Sequence, residues 1–319
     1  MKLIRTDYRA LAHAGQEGLP LRLNGGVVAI GNFDGVHRGH QALLRQQAEI
    51  AQSNGKPFMV MTFTPHPRRH FKPDQPPFQL SDSILQRSFI EKLGVDGMVE
   101  LHFEGILART SAPDFVRYIL ADAMQISHVV VGEDFRFGAG RQGDVDMLQE
   151  MGKQFGFGVT PVTLHADFLG GQPISSERIR AEIKLGHMAT AQELLGRPWQ
   201  TRAEVIHGDK RGREWGFPTA NMLLHEFVHP AFGVYAARVR IEPDQTWHKA
   251  VMSFGKRPNF QVTQPLLEVH ILDYEGDLYG RVLRVEWHDF LRPEIRFASV
   301  DLLKEAIADD VKRARELLA

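Results

Sequence analysis

Through about residue 164 the chain alternates short apolar runs with amphipathic stretches, and this alternation constrains its fold more than any other feature. "GVVAIG" (26–31), "PFMVMTF" (57–63), "VDGMVELHF" (95–103), "SHVVVGEDF" (127–135) and "GVTPVTL" (158–164) read as strands buried on both faces. Helical stretches lie between them, at 40–55, 83–94, 113–124 and near 144–155. In the first, Leu43, Leu44, Ala48 and Ala51 share a face and Asn54-Gly55 ends the helix. Apolar strands joined by helices predict an α/β domain with a covered parallel sheet, whose ligands sit beyond the carboxyl ends of the strands.

After Pro173 the pattern changes. A helix at 176–186 and a short one at 188–196 lead into brief strands broken by Gly, Pro or Asp. In "LLEVHIL", Leu267, Val269 and Ile271 share one face, and Glu268 and His270 the other. Successive strands without intervening helices predict a small antiparallel barrel. A terminal helix over 300–318 follows, with Ser299 as its N-cap. A boundary near residue 187 gives domains 1–187 and 188–319, and 319 residues suffice for both.

Composition excludes several function classes. A formal net charge of −1 gives no overall field to draw nucleic acid or anionic lipid. The absence of cysteine removes disulfides and thiolate metal sites and fits a reducing compartment. The first twenty residues carry charge throughout, unlike a signal peptide, and no apolar run is long enough to span a bilayer. The expectation is a cytoplasmic protein acting on small molecules, with room for a homo-oligomer.

Two loops concentrate the candidate chemistry. In "VVAIGNFDGVHRGHQALL" (27–44), Gly31, Gly35 and Gly39 permit sharp turns and close approach of backbone to a ligand. A helix starting near His40 aims its free amides and positive dipole end at the turn. His37 and His40 add imidazole donors, which suits a polyphosphate whose negative charge grows during transfer. Asp34 would orient the loop or a metal. Ordinary turn chemistry explains the same residues. A zinc site fits them less well, since no H-E-x-x-H order is present and cysteine is absent.

In "HGDKRGREWGFPTAN" (207–221), Gly208 and Gly212 stand among Lys210, Arg211 and Arg213 without forming a Walker A loop. Such a flap can cover phosphates with its amides. Thr219 and Asn221, two apart, face the same way on an extended segment, and their neutral oxygens suit Mg²⁺ balanced by phosphate. A basic hairpin followed by a turn would read alike, and Glu268 by itself is an ordinary exposed glutamate.

A resemblance sharpens these readings. "GNFDGVHRGH" resembles the HxGH signature of nucleotidylyltransferases, and "TFTPHP" (62–67), "VVGEDFRFGAGRQGD" (130–144) and "ISSERIR" (174–180) follow in family order. "GFPTAN" (216–221) with "LEVH" (267–270) resembles the riboflavin kinase signature. From about residue 15 onward the chain is similar to the bacterial bifunctional riboflavin kinase/FMN adenylyltransferase family.

The resemblance implies a Rossmann-like adenylyltransferase domain and a riboflavin kinase barrel, with ATP as co-substrate, Mg²⁺ as cofactor, and riboflavin, FMN and FAD as substrates or products. It assigns His37 and His40 to the ATP phosphates, with Gly31, Phe33, Asp34, Gly35, Gly39, Ser175, Ser176 and Arg180 around the nucleotide. Phe63, His66 and Asp134 fall beside the flavin or adenylate. In the kinase half it assigns Glu268 as catalytic base, Thr219 and Asn221 to the metal, Gly208, Lys210, Gly212 and Arg213 to the nucleotide, and Arg292 and Phe297 to the flavin. Two positions depart from the family pattern. Glu177 replaces a threonine and is expected to point away from ATP, and Asn259 replaces another. Another nucleotidylyltransferase, a class I aminoacyl-tRNA synthetase or a flavin-binding protein without catalysis would share only part of this pattern.

Overall fold

The computed structural model describes residues 1–13, 24–163, 172–208, 212, 215–256 and 265–319. They fall into two compact units, one of residues 1–75 with 86–174 and one of residues 76–85 with 175–319. The expected boundary near 187 lies between two helices that both belong to the second unit.

In the first unit, strands β1 (Lys2–Thr6), β2 (Val27–Ile30), β3 (Phe58–Thr64), β4 (Gly97–His102), β5 (His128–Gly132) and β6 (Gly158–Val162) form one sheet in the order β1-β4-β3-β2-β5-β6. Every pairing is parallel. β2 is buried along its whole length, as expected of a strand covered on both faces. β1 had no sequence signal, because its residues alternate between exposed and half-buried; pairing with β4 makes it a strand. The chain leaves β2 towards β3 on one side, while β5 adds on the other. This switch point places the segment after Ile30 at the mouth of a crevice.

Helices α1 (Tyr8–His13), α2 (Arg38–Ser53), α3 (Pro67–Phe71), α5 (Gly105–Arg109), α6 (Ala112–Asp114) and α7 (Val145–Phe155) complete the unit, with α4 (Ser83–Glu91) from Gln86 onward. The helix expected at 113–124 begins as α6, capped by Ser111 Oγ, which accepts from Asp114 N at 3.2 Å. It continues as a π-helix over Phe115–Ala123. The wider turn still delivers Phe115, Val116, Ile119, Leu120 and Ala123 to the core.

The second unit contains α8 (Ser176–Leu185), α9 (Met188–Leu195), a closed barrel and α10 (Val300–Leu317). Strands β7 (Trp199–Ile206), β8 (Ala220–Leu223), β9 (Gly233–Ile241), β10 (Trp247–Gly255), β11 (Leu266–Ile271) and β12 (Val282–Pro293) close antiparallel in the order β10-β11-β8-β7-β12-β9. Trp199, Tyr235, Met252, Leu267, Val269 and Trp287 are among its buried residues. α10 starts at Ser299, whose Oγ accepts from Leu302 N as expected. It packs through Ala314 and Leu318 on Val234, Ala236, Val251 and Leu291.

Candidate active sites

The histidine loop lies at the carboxyl end of β2. His37, not His40, is the N-cap of α2, and its Nδ1 accepts from the His40 amide at 3.2 Å. Nδ1 of His37 thus serves the helix start, where the sequence suggested two imidazole donors for a ligand. The two rings stack with centroids 3.6 Å apart. Gly39 packs closely on this pair: a Cβ there would lie 3.1 Å from the His37 ring and 3.4 Å from the Ile174 carbonyl. Asp34 is buried within the loop beside Gly35, whose φ is +79°. Gly31 sits against the Phe33 ring, which would be 3.2 Å from an added Cβ.

At the ends of β3 and β4, Phe63 packs edge-on against Phe103 at 5.8 Å, and Phe103 also meets His70 and Phe71. His66 caps α3, its Nδ1 accepting from Arg68 N at 3.1 Å. Asp134 is exposed and approaches Gly132, where a Cβ would be 3.0 Å from its carboxylate. Arg136 bonds Asp144, the cap of α7, at 2.9 Å, so this pair is structural. Phe135 stacks on Phe137 as core packing.

Ser175 caps α8 by accepting from Arg178 N at 3.2 Å, and Ser176 opens the helix. Arg180 is buried. Its Nε donates to the Phe78 carbonyl at 2.7 Å, and its NH1 donates to Glu177 at 2.9 Å. Glu177 thus neutralises the buried guanidinium, a local reason for a carboxylate at this position.

In the second unit, register gathers the kinase candidates. Val234, Ser253, Glu268 and Asn221 are paired in turn across β9, β10, β11 and β8. The row borders a cavity of about 380 Å³ that Thr219, Gly212, Trp215, Arg292 and Phe297 also line. Ser253 Oγ donates to Glu268 Oε2 at 3.4 Å. Gly208 lies over Asn221, since a Cβ there would come within 2.2 Å of the amide nitrogen. Gly212 accepts from Phe217 N at 2.8 Å and approaches the Thr219 hydroxyl. Arg292 is held by both carboxylate oxygens of Asp310, at 3.1 and 3.0 Å from Nε, and lies over the Phe297 ring. Burial pushes the Asp310 carboxyl up, and the Arg292 hydrogen bond opposes this.

Thr219 also borders a second cavity, of about 560 Å³, with Pro218, Tyr274, Asp277 and Tyr279. Lys210, Arg213 and Asn259 lie outside the described residues. Sequence reasoning missed Phe71, Phe103, Ser253 and Asp310. Asp310 carried no signal because the helical pattern marks only its apolar face; Ser253 needed the pairing of β10 with β11.

Comparison with known proteins follows the same division. Residues 20–178 match the FAD synthetase model and residues 195–318 the riboflavin kinase model. The bifunctional riboflavin kinase/FMN adenylyltransferase of Escherichia coli K12 is 40% identical over 99% of this chain and 97% of its own. The chain belongs to this family. The Pseudomonas fluorescens relative is 42% identical over 92% of this chain and 94% of its own. A crystal structure from Streptococcus pneumoniae described as a macrolide-efflux protein superposes with a TM-score of 0.84 at 32% identity, covering 99% of both chains. Among the described residues no helix is long and apolar enough to cross a membrane. The family's FAD synthetase domain carries the histidine loop, and its riboflavin kinase domain carries the Asn221–Glu268 row.

Proposed function

We propose that the chain makes FAD from riboflavin in two ATP-dependent steps, one in each domain. The observation that carries this reading is the Ser253–Glu268–Asn221 row on one cavity wall, which sets a carboxylate beside two neutral oxygen donors. In the first step Glu268 takes the proton of the ribityl 5′-hydroxyl as that oxygen bonds to the γ-phosphorus and ADP leaves. Riboflavin occupies the cavity under Trp215 and Phe297, and ATP approaches from the second cavity, which shares Thr219.

Thr219 and Asn221 fit Mg²⁺. Their oxygens are neutral and hard, and among the described residues no group of three or more His, Asp or Glu gathers as a resident metal site. Charge balance would come from ATP phosphates. Gly208 leaves the Asn221 amide the space it needs. When bound, the ion would screen phosphate charge.

In the second step an FMN phosphate oxygen attacks the α-phosphorus of ATP, the bond to the β-phosphate breaks, and pyrophosphate leaves. No protein nucleophile is needed. His37 and His40, with the amides of α2, hold the growing charge. Phe63 and Phe103 offer the flavin an aromatic surface. ATP use in both steps supports a cytoplasmic setting.

The test is to incubate the protein with riboflavin, ATP and Mg²⁺ and to separate flavins by chromatography. Both FMN and FAD are expected. Glu268→Ala should stop FMN formation yet still convert supplied FMN to FAD, and His40→Ala should do the reverse. Loss of both activities from either folded variant would refute the two-site assignment.

A further inference from the structure

The loop carrying His37 and His40 has an unfavourable backbone. Phe33 and Val36 have φ of +46° and +42°, with Gly35 at +79° between them. For an aromatic and a β-branched residue this region is sterically crowded and persists only where surrounding contacts over-determine it.

Gln41 Nε2 donates to the Val36 carbonyl at 2.9 Å, and two further contacts meet on one atom at the start of the run. The Asn32 carbonyl, the last group before the strained run, accepts from Thr62 Oγ1 on β3 at 3.3 Å and from Gln86 Nε2 on α4. Both donors are buried, Thr62 completely. Two elements thus engage a single carbonyl and fix the plane of the 32–33 peptide. That plane sets where the Phe33 ring goes. The ring is buried beside Gly31 and meets His40 edge-on at 5.2 Å, and His40 in turn stacks on His37.

We propose that Thr62 and Gln86 are positioning residues for adenylyl transfer, acting through the Asn32 carbonyl and Phe33 to hold the two histidines at the phosphates. The inference rests on the reading of His37 and His40 as the phosphate cradle. Neither residue touches substrate. Each limits how far the imidazoles stray from the transition state, where about 1 Å of misplacement can cost on the order of a hundredfold in rate.

The experiment compares Thr62→Val, Thr62→Ser, Gln86→Leu and the Thr62→Val/Gln86→Leu double variant in the full chain. FAD formation from FMN and ATP is measured as kcat and KM, alongside thermal melting. The double variant should lose about ten- to a hundredfold in kcat, with KM for FMN within about twofold. Thr62→Ser, which keeps the hydroxyl, should retain most of the rate. An unchanged kcat in the double variant would overturn the proposal. So would Thr62→Ser falling as far as Thr62→Val, or kcat and the FMN KM failing together with early melting in the single variants, which marks a purely structural role. If His40→Ala forms FAD at the parent rate, the cradle reading falls instead, whatever the other variants do.

Discussion

A side chain at position 208 would collide with Asn221, because an added Cβ lies 2.2 Å from its amide nitrogen. Gly208→Ala must therefore displace the Asn221 side chain, at an overpacking cost of about 1–3 kcal/mol. Riboflavin phosphorylation should fall about tenfold or more, and the Mg²⁺ concentration for half-maximal rate should rise. Conversion of supplied FMN to FAD should not change. Titrating Mg²⁺ against each activity checks this. Arg292 illustrates a different constraint: Asp310 occupies its Nε and one terminal nitrogen, so the guanidinium is aimed before any ligand arrives.

At the scale of elements, α10 is fixed at several points. Arg292 pairs with Asp310 in its body, and near its end Arg315 makes two bonds of 2.7 Å to Asp273 in the turn after β11. Asp310→Ala leaves the mostly buried Arg292 without its carboxylate partner and should cost about 1–3 kcal/mol. A lower melting temperature and a raised riboflavin KM would register it. The β5–β6 pair responds to pH. His128 donates to or accepts from Thr160 at 2.8 Å, and burial holds its imidazole below the ordinary value of 6.5. The unfolded chain therefore takes up this proton first. Stability that is full above 6.5 is lost as pH falls through that value towards the lower folded one. His229 acts in the same direction. Melting curves between about pH 7.5 and 5 should fall more steeply for the parent chain than for His128→Gln.

For the molecule as a whole, the second unit is not one continuous stretch of chain. Residues 76–85 belong to it, held by backbone bonds of Phe78 and Gln79 to Glu226 and of Val228 to Gln79, and by the Trp199 indole donating to the Leu80 carbonyl at 2.9 Å. A fragment of residues 188–319 lacks these partners and loses Arg180 as well. It should melt below the barrel of the intact chain. Calorimetry of the two proteins decides it.

Most of the architecture is readable from the chain's local pattern, because apolar periodicity is a local property that tertiary packing only had to accept. β2, β3, α2, the barrel alternation in "LLEVHIL" and the Ser299 cap stand where their residues indicated. The glycines and histidines of 31–40 and the Thr219–Asn221 spacing were legible for the same reason: each acts on neighbours in sequence. Whatever depends on distant pairs emerged with the folded chain. The fold set Ser253 beside Glu268, Asp310 against Arg292, and Thr62 with Gln86 under Asn32. It also moved residues 76–85 into the second unit. Strand register and side-chain hydrogen bonds join residues tens to more than a hundred positions apart, and no local pattern records which distant partner will complete them.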